Sequence, residues 1–196
     1  DLTLNTDILD SQQLMAKFYH TDERLLFTET FEPLDRSAHT TKLNGFDTQF
    51  SQFMFSIFRT SFGTTLQENS INSSTSAKHS YQLKALYFES EADLPKQQGA
   101  FKFGARWDDY SNFGDCLSPS ASFTYWLFDV LKLHALAGRS FRAPTFNDLY
   151  WPREDWGIWG GVEGNSALTP EKAVSYEAGF GAYIGKRIKA DATLFY

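Results

Sequence analysis

Long apolar runs are missing from this sequence of 196 residues. No stretch approaches the roughly 18 to 20 consecutive apolar residues that a membrane-spanning helix needs, which excludes a helical membrane protein. Proline and methionine are scarce, at 6 and 2 residues, whereas the chain has 19 phenylalanines, 9 tyrosines and 5 tryptophans. Because this aromatic excess is typical of β-strands and of aromatic girdles at a membrane interface, the expected fold class is all-β.

Cysteine and clustered basic residues are also scarce. The single cysteine, Cys116, forms no internal disulfide and no multi-cysteine metal site, and we expect it to lie in a loop without a function of its own. The net charge is −6 and the longest basic run is Lys186-Arg187, so nucleic acid is not an expected partner. No signal-peptide pattern follows Asp1, and targeting is therefore inferred from the strand pattern.

Apolar and polar residues alternate along most of the chain, with the period of two that indicates β-strands. In F-K-F-G-A-R-W at 101–107, one face is apolar and the other is charged. In 81–87 the apolar face consists of Tyr81, Leu83, Ala85 and Tyr87. The alternating segments are residues 81–87, 101–107, 121–127, 131–137, 174–182 and 188–196. The region from Phe46 to Phe62 is more continuously aromatic, and its register stays open.

Two architectures are compatible with this alternation. One is a soluble β-sandwich, whose strands also alternate. The other is an antiparallel transmembrane β-barrel of outer-membrane type. Segments of roughly 9 to 11 residues suit strands tilted across a bilayer, and a water-filled lumen accepts the charged residues of the polar face. The barrel is therefore favoured, with about ten strands.

The predicted connections differ in length between the two ends of the strands. We predict short connections near Asp10-Ser11, Ser51-Gln52, Phe128-Asp129 and Gly185-Lys186, and one of medium length through Leu94-Pro95-Lys96. We predict long polar loops at Asp22–Ala38, Leu66–Lys78, Tyr110–Pro119 and Arg142–Pro170. Short turns on one rim and long loops on the other are typical of outer-membrane barrels.

Four ordered motifs in the second half of the chain resemble those of one family. Residues 138–150, G-R-S-F-R-A-P-T-F-N-D-L-Y, resemble the GxxFRAPxxxELY segment of TonB-dependent receptor barrels. Residues 164–179, G-N-S-A-L-T-P-E-K followed by S-Y-E-A-G, resemble the GNPxLKPExSxSYExG segment of these receptors. Residues 104–110 and 117–122 resemble the GxRYDxY and SPRAS elements that precede them. The first half matches only in the spacing of its strands.

The resemblance implies a barrel of about 22 strands, filled by a separate N-terminal plug domain that the inner-membrane TonB complex contacts. About ten strands supply less than half of that wall. We therefore interpret residues 1–196 as a barrel segment without the plug domain and without a signal peptide. A natural ten-stranded barrel is the alternative, because an alternating final strand ending in Tyr196 resembles the assembly signal of complete outer-membrane proteins.

The resemblance also implies a function, the TonB-dependent uptake of a scarce nutrient across the bacterial outer membrane. An iron–siderophore chelate or a cobalamin would bind at the extracellular loops and the plug apex, and the TonB complex would then remodel the plug. Outer-membrane lipid would surround the barrel. We expect no cofactor and no covalent chemistry.

The long loop after residue 149 contains the candidate ligand-binding residues. Its aromatic side chains would stack on a flat, partly apolar ligand. Trp156 and Trp159 are the first candidates, followed by Tyr150 and Trp151, which lie nearer the expected interface. A role as girdle or loop-core residues is an equal alternative.

The motif residues themselves are expected to shape the loop, with direct ligand contact as the alternative. Arg142-Ala143-Pro144 would end a strand, since proline has no N–H to donate to the sheet. Asn147 and Asp148 would make local turn hydrogen bonds. The motif residues expected to have this structural role are Arg142, Pro144, Asn147, Tyr150, Asn165, Leu168, Pro170 and Glu171.

Other classes of function have weaker support in the sequence. An outer-membrane enzyme would need a serine, a histidine and an acid together, and His134 has no such neighbours in its predicted strand. No metal site is expected, although Asp108, Asp109 and Asp115 on one predicted loop are weak Ca²⁺ candidates. A passive channel or an adhesin-like barrel is the main alternative, and it does not require the four motifs.

Overall fold

The computed structural model describes residues 1–9, 11–28, 36–55, 57–128, 130–185 and 188–196. The strands are β1 (Leu2–Leu9), β2 (Gln12–Thr28), β3 (Arg36–Met54), β4 (Phe58–Ser73), β5 (Ala77–Asp93), β6 (Gly99–Tyr110), β7 (Gly114–Leu127), β8 (Leu131–Arg142), β9 (Glu154–Asp155), β10 (Gly161–Val162), β11 (Glu171–Ile184) and β12 (Ile188–Phe195). There is one short helix, α1 (Phe146–Tyr150), and 3₁₀ turns lie at Pro95–Gln97 and Gly157–Trp159.

Ten of these strands form one antiparallel sheet in the order β1-β2-β3-β4-β5-β6-β7-β8-β11-β12. The strands β9 and β10 form a separate hairpin inside the loop that connects β8 to β11. The fold is thus all-β, an open partial barrel whose ten strands agree with the number predicted from the sequence. Within the described residues, no helix is both long and apolar enough to cross a membrane.

One face of the sheet, here called the outer face, is covered with large apolar side chains. It consists of the even-numbered residues of β1 to β5, β11 and β12 and the odd-numbered residues of β6 to β8. The ring of Phe88 lies 5.2 Å from that of Phe62 and 5.7 Å from that of Phe103. Phe62 and Phe123 are each 41% exposed. Such exposed apolar side chains suit a hydrocarbon environment, as the alternation predicts for β6 to β8, β11 and β12.

The opposite face, here called the inner face, carries ion pairs and polar side chains. The Nζ of Lys102 lies 2.8 Å from Oε1 of Glu89. The Nε of Arg106 lies 2.8 Å from Oδ1 of Asp108, whose side chain is buried. A polar inner face opposite an apolar outer face is the arrangement expected around a water-filled lumen.

The strand β5 departs from the predicted pattern. Tyr81, Leu83, Ala85 and Tyr87 lie on the inner face, where Leu83 and Ala85 are buried, so the prediction that they continue the apolar face of the other strands is wrong. At Tyr81 the reason is that the loop between β8 and β11 folds onto the inner face at this end of β5. The ring of Tyr81 lies 5.3 Å from that of Phe146 in this loop.

The register of the aromatic region between β3 and β4 is now defined. Phe50 and Phe62 lie opposite each other on the outer face, and Phe53 lies on the inner face. The strand β3 ends at Met54 and β4 begins at Phe58, so the predicted turn near Ser51-Gln52 is wrong by a few residues. Those two residues pair with Ser61 and Thr60 inside the sheet.

Two predicted long loops are wrong, because the strands are longer than expected. The strands β2 to β5 have 17, 19, 16 and 17 residues, whereas about 9 to 11 suffice to cross a bilayer. Most of Leu66–Lys78 and Tyr110–Pro119 therefore belongs to strands, which meet in turns at residues 74–76 and 111–113. Cys116, expected in a loop, lies buried in β7 opposite Asp108.

The two rims of the sheet nevertheless differ. The loop at 143–170 is long, as predicted, and we call the rim that contains it the loop rim. In the predicted loop Asp22–Ala38, β2 continues to Thr28 and β3 begins at Arg36. The intervening residues 29–35 lie outside the described residues. The same holds for Asp10, Asp129 and Lys186 in the predicted short turns on the opposite rim.

Candidate functional site

The long loop begins with a tightly capped helical turn. The strand β8 ends at Arg142, as the position of Pro144 predicts. The hydroxyl of Thr145 accepts a hydrogen bond from the N–H of Asp148, and the Asp148 carboxylate accepts one from the N–H of Thr145. This capping box satisfies two N–H groups that would otherwise lack partners at the start of α1. The first motif therefore fixes the direction in which the chain leaves the sheet.

The second motif closes the loop against the first. The N–H of Asn165 donates to the carbonyl of Asp148 at 2.8 Å, and the N–H of Gly164 donates to the carbonyl of Trp151 at 2.9 Å. The Asn165 side chain accepts a bond from the N–H of Ala167 at 2.9 Å, and the carbonyl of Asn165 accepts one from Leu168. The bonds to Asp148 and Trp151 join the two ends of the loop, which are separated in sequence by the hairpin of β9 and β10, while the other two shape the turn of the second motif.

A glycine is required at position 164 by the closeness of the backbone. A Cβ atom added to Gly164 would lie 2.4 Å from the backbone nitrogen of Trp151 and 2.6 Å from that of Tyr150. Real Cβ atoms essentially never come so close to other atoms. The packing of the backbone therefore explains why the second motif begins with a glycine.

Charge at the base of the loop is arranged around Arg142. Its guanidinium lies 4.0 Å from the carboxylate of Asp148 and 3.9 Å from that of Glu171. Both pairs are exposed, so each contributes little to stability. The backbone N–H of Thr145, which donates to Asp148, holds the pKa of that carboxyl below its ordinary value. After Pro170, Glu171 pairs with Arg142 at the first position of β11, which closes the loop.

Aromatic side chains attach the loop to the inner face. The imidazole of His79 stacks on the phenol ring of Tyr150, with centroids 3.6 Å apart and planes 3° from parallel. Phe146 contacts Tyr81, which lies on β5 together with His79. Leu149, which lies between Phe146 and Tyr150 in α1, is buried. These inner-face partners were not predicted, because nothing in the spacing of His79 and Tyr81 indicates a contact with a loop so distant in sequence.

A cleft of about 540 Å³ lies between this loop and the inner faces of β2 to β4, at the loop rim. The loop side is formed by Asn147, Trp151 and Glu154, and the indole Nε1 of Trp151 donates to the carboxylate of Glu154 at 3.0 Å. The sheet side consists of Glu23, Leu25, Phe27, Thr28, Ser37, His39, Thr41, Ile71 and Thr75. None of these sheet residues was a sequence candidate, because most of them lie in segments that the sequence predicts to be loops, Asp22–Ala38 and Leu66–Lys78.

The four predicted ligand-binding residues occupy three different places. Trp151 lines the cleft, and Tyr150 is stacked on His79. Trp156 and Trp159 lie at the tip of the hairpin of β9 and β10, where they are 53% and 83% exposed. The structure thus separates them, and their roles in ligand binding stay predictions.

The histidine in β8 lacks the geometry of a catalytic triad. The Nε2 of His134 lies 3.3 Å from the hydroxyl of Thr193 and 3.4 Å from the carboxylate of Glu177. A triad needs the nucleophile on one ring nitrogen and the acid on the other, whereas both groups face the same nitrogen here. The contacts instead link the inner faces of β8, β11 and β12.

The three aspartates proposed as weak Ca²⁺ ligands do not lie on one loop. Asp108 and Asp109 are in β6 and point to opposite faces, while Asp115 is in β7 and accepts a bond from the indole N–H of Trp107. Over the part of the chain that the structure describes, no group of three or more metal-binding side chains could hold a metal ion. The prediction that these residues share a loop is therefore wrong.

An open antiparallel wall with an apolar outer face, a charged inner face and a loop folded inward at one rim defines a β-barrel of the outer-membrane type. The family model described as TonB dependent receptor-like, beta-barrel, matches residues 3–196. The chain belongs to this family, as its motifs predict.

Known proteins with similar sequences or structures support this assignment. The chain is 38% identical over 77 residues to the vitamin B12 transporter BtuB of Photobacterium profundum, a match that covers 39% of this chain and 11% of that protein. The R480A mutant of the ferric enterobactin receptor PfeA of Pseudomonas aeruginosa, in complex with enterobactin, has a TM-score of 0.81 at 17% identity, covering 98% of this chain and 33% of that chain. The siderophore receptor PirA of Acinetobacter baumannii has a TM-score of 0.74 at 19% identity, and the match covers 98% of this chain and 33% of PirA. Because the identities are below 20%, these two structures establish only that the chain has the same fold. The sequence match spans about a tenth of the length of the curated relative, and the structural matches span a third of these receptors.

Proposed function

We propose that this chain forms part of the barrel wall of a bacterial outer-membrane receptor that takes up a scarce nutrient, of the iron–siderophore or cobalamin type, in a TonB-dependent manner. The observation that carries the proposal is the loop at 143–170. Its two family motifs are joined by backbone hydrogen bonds, and it folds onto the inner face to form a cleft at the loop rim. A cleft with aromatic and polar walls at the mouth of a barrel suits the binding of a small ligand.

The proposed mechanism is transport without covalent chemistry. The outer face contacts outer-membrane lipid, and the ligand enters from the loop rim, on the extracellular side. Trp156 and Trp159 at the exposed hairpin tip meet the ligand first, and Trp151 contacts it in the cleft. A plug domain outside residues 1–196 transmits the pull of the TonB complex, and the ligand then passes along the polar inner face.

Two other functions are less well supported by the described residues. A passive channel or an adhesin-like barrel would have the same two-faced wall. Neither function would require the backbone hydrogen bonds that join Asp148 to Asn165 and Trp151 to Gly164. An enzyme would need a working catalytic group, and the contacts of His134 lack the required geometry.

The test is a deletion of the gene in its own host, followed by growth on a panel of single nutrient sources. The panel contains ferric siderophores of several chemical types, haem and cobalamin, each supplied at a limiting concentration. We expect a growth defect on one member of the panel, and the full-length gene restores growth. Normal growth of the deletion strain on every member would contradict the proposal.

A further inference from the structure

The cleft at the loop rim has an unbalanced charge. Among the described residues that line it, the charged side chains are the carboxylates of Glu23 and Glu154, and none is a lysine or an arginine. At the effective dielectric constant of about 20 typical near a protein surface, like charges a few ångströms apart repel by more than the thermal energy. A strongly anionic ligand would therefore be repelled from both walls of the cleft.

The sheet side of the cleft also contains exposed apolar surface. Leu25 and Phe27 lie on the inner face, yet they are 48% and 53% exposed. Lipid accounts for the exposed apolar side chains of the outer face, but it does not reach these two. Trp151 lies on the loop side of the same cleft. Exposed apolar and aromatic side chains of this kind favour a ligand with a flat apolar surface.

Two carboxylates, which only accept hydrogen bonds, line the cleft on opposite walls. The carboxylate of Glu154 is oriented by the indole N–H of Trp151, and that of Glu23 lies on the opposite wall. The imidazole of His39 is held by the hydroxyls of Ser73 and Ser37 at 2.9 and 3.2 Å. Carboxylates bind N–H donors strongly, so a ligand that presents amide N–H groups would satisfy both walls.

We propose that the cleft selects a neutral or cationic chelate with amide N–H donors and a flat apolar surface, and that it rejects trianionic ferric catecholates. This inference rests on the proposed uptake function and names the class of its ligand. Glu23 and Glu154 set the charge preference, and Trp151 supplies the stacking surface.

The experiment measures equilibrium binding to the full-length protein in outer membranes of a host that lacks its own receptors. The labelled probes are cyanocobalamin and a ferric trihydroxamate, both neutral overall, and ferric enterobactin, a trianion. We expect one neutral probe to bind at least about tenfold more tightly than ferric enterobactin. Glu23→Lys reduces this preference by about tenfold or more, and Trp151→Ala weakens binding of the neutral probe by a similar factor.

Asp22→Lys is the matched control, because Asp22 precedes Glu23 but lies on the outer face beside Lys42. This variant makes the same change of charge away from the cleft, and we expect the ratio of the two affinities to stay as in the wild type. The heat-dependent shift of the folded barrel on gels verifies that each variant has assembled.

Three results would overturn the inference. They are tighter binding of ferric enterobactin than of both neutral probes, no binding of either neutral probe, and equal effects of Glu23→Lys and Asp22→Lys. The uptake function has its own test, because the growth defect of the deletion strain does not depend on which probe binds. A deletion strain without any defect would refute the uptake function itself.

Discussion

The imidazole ring of His79 lies parallel to the phenol ring of Tyr150, with 3.6 Å between the ring centroids. His79 belongs to the barrel wall and Tyr150 to the last position of α1, so this stack attaches the long loop to the inner face. The cleft at the loop rim depends on the position of this loop, because Asn147 and Trp151 on either side of Tyr150 line it.

Removal of the stack should loosen the loop. Aromatic stacking contributes about 0.5 to 1.5 kcal/mol beyond the buried area, so Tyr150→Ala loses this contact while Tyr150→Phe retains the ring. We expect trypsin to cleave after the exposed Arg153 several times faster in the alanine variant than in the wild type. The phenylalanine variant should match the wild type. Equal cleavage rates in all three proteins would mean that the stack does not hold the loop.

The close backbone contact at Gly164 leads to a second prediction. Gly164→Ala forces the new Cβ against the backbone of Tyr150 and Trp151, and overpacking of this kind costs about 1 to 3 kcal/mol. We expect faster hydrogen exchange of residues 145–168. Gly138→Ala is the control, because its Cβ would make only an ordinary contact, 3.5 Å from Ser120. Similar exchange in the two variants would contradict the packing explanation.

The capping box at α1 should respond to acid. The lowered pKa of Asp148 means that its contribution is fully present above the ordinary value of 3.8 and is lost as the pH falls through the folded-state pKa. Protection of residues 145–151 from hydrogen exchange, corrected for intrinsic rates, should therefore be constant from pH 7 to pH 5 and fall at a pH below 3.8. Asp148→Asn removes this titration, so an identical acid step in that variant would refute the assignment.

Neighbouring residues on opposite faces of β7 test the register of the wall. An arginine that faces lipid near the middle of a bilayer costs about 2 to 4 kcal/mol, whereas substitutions in the lumen are tolerated. Phe123→Arg on the outer face should therefore lower the free energy of unfolding in lipid vesicles by that amount. Ser122→Arg on the inner face should change it by less than about 1 kcal/mol. Equal losses would indicate that the two faces have been misassigned.

The outer face could be predicted from the sequence wherever one side of a strand meets only apolar surroundings and the other side meets only water. Phe101, Phe103 and Trp107 alternate with Lys102 and Arg106 because one side meets apolar surroundings and the other meets water. The same logic failed in β5, where the inner face near the loop rim is covered by the folded loop. Apolar residues occur at Tyr81 and Leu83 because this part of the inner face is buried, and strand periodicity alone does not predict that burial.

The candidate site was predictable only in part. The motifs around Arg142 and Asn165 located the loop, since their residue types are those of strand ends and turns. Their contacts explain why the loop folds inward. The sheet side of the cleft, which includes Glu23 and His39, depends on the register of long strands that share no motif. That register is determined by pairing across the sheet, and a single sequence does not reveal it.

The central claim, TonB-dependent uptake through this barrel, is tested most directly by accumulation of the labelled nutrient that the growth panel identifies. Cells that produce the full-length protein are compared with and without a working TonB complex. We expect surface binding to be the same in both strains, and accumulation inside the cell to require the TonB complex. Equal accumulation in the two strains would contradict the account and indicate a passive channel.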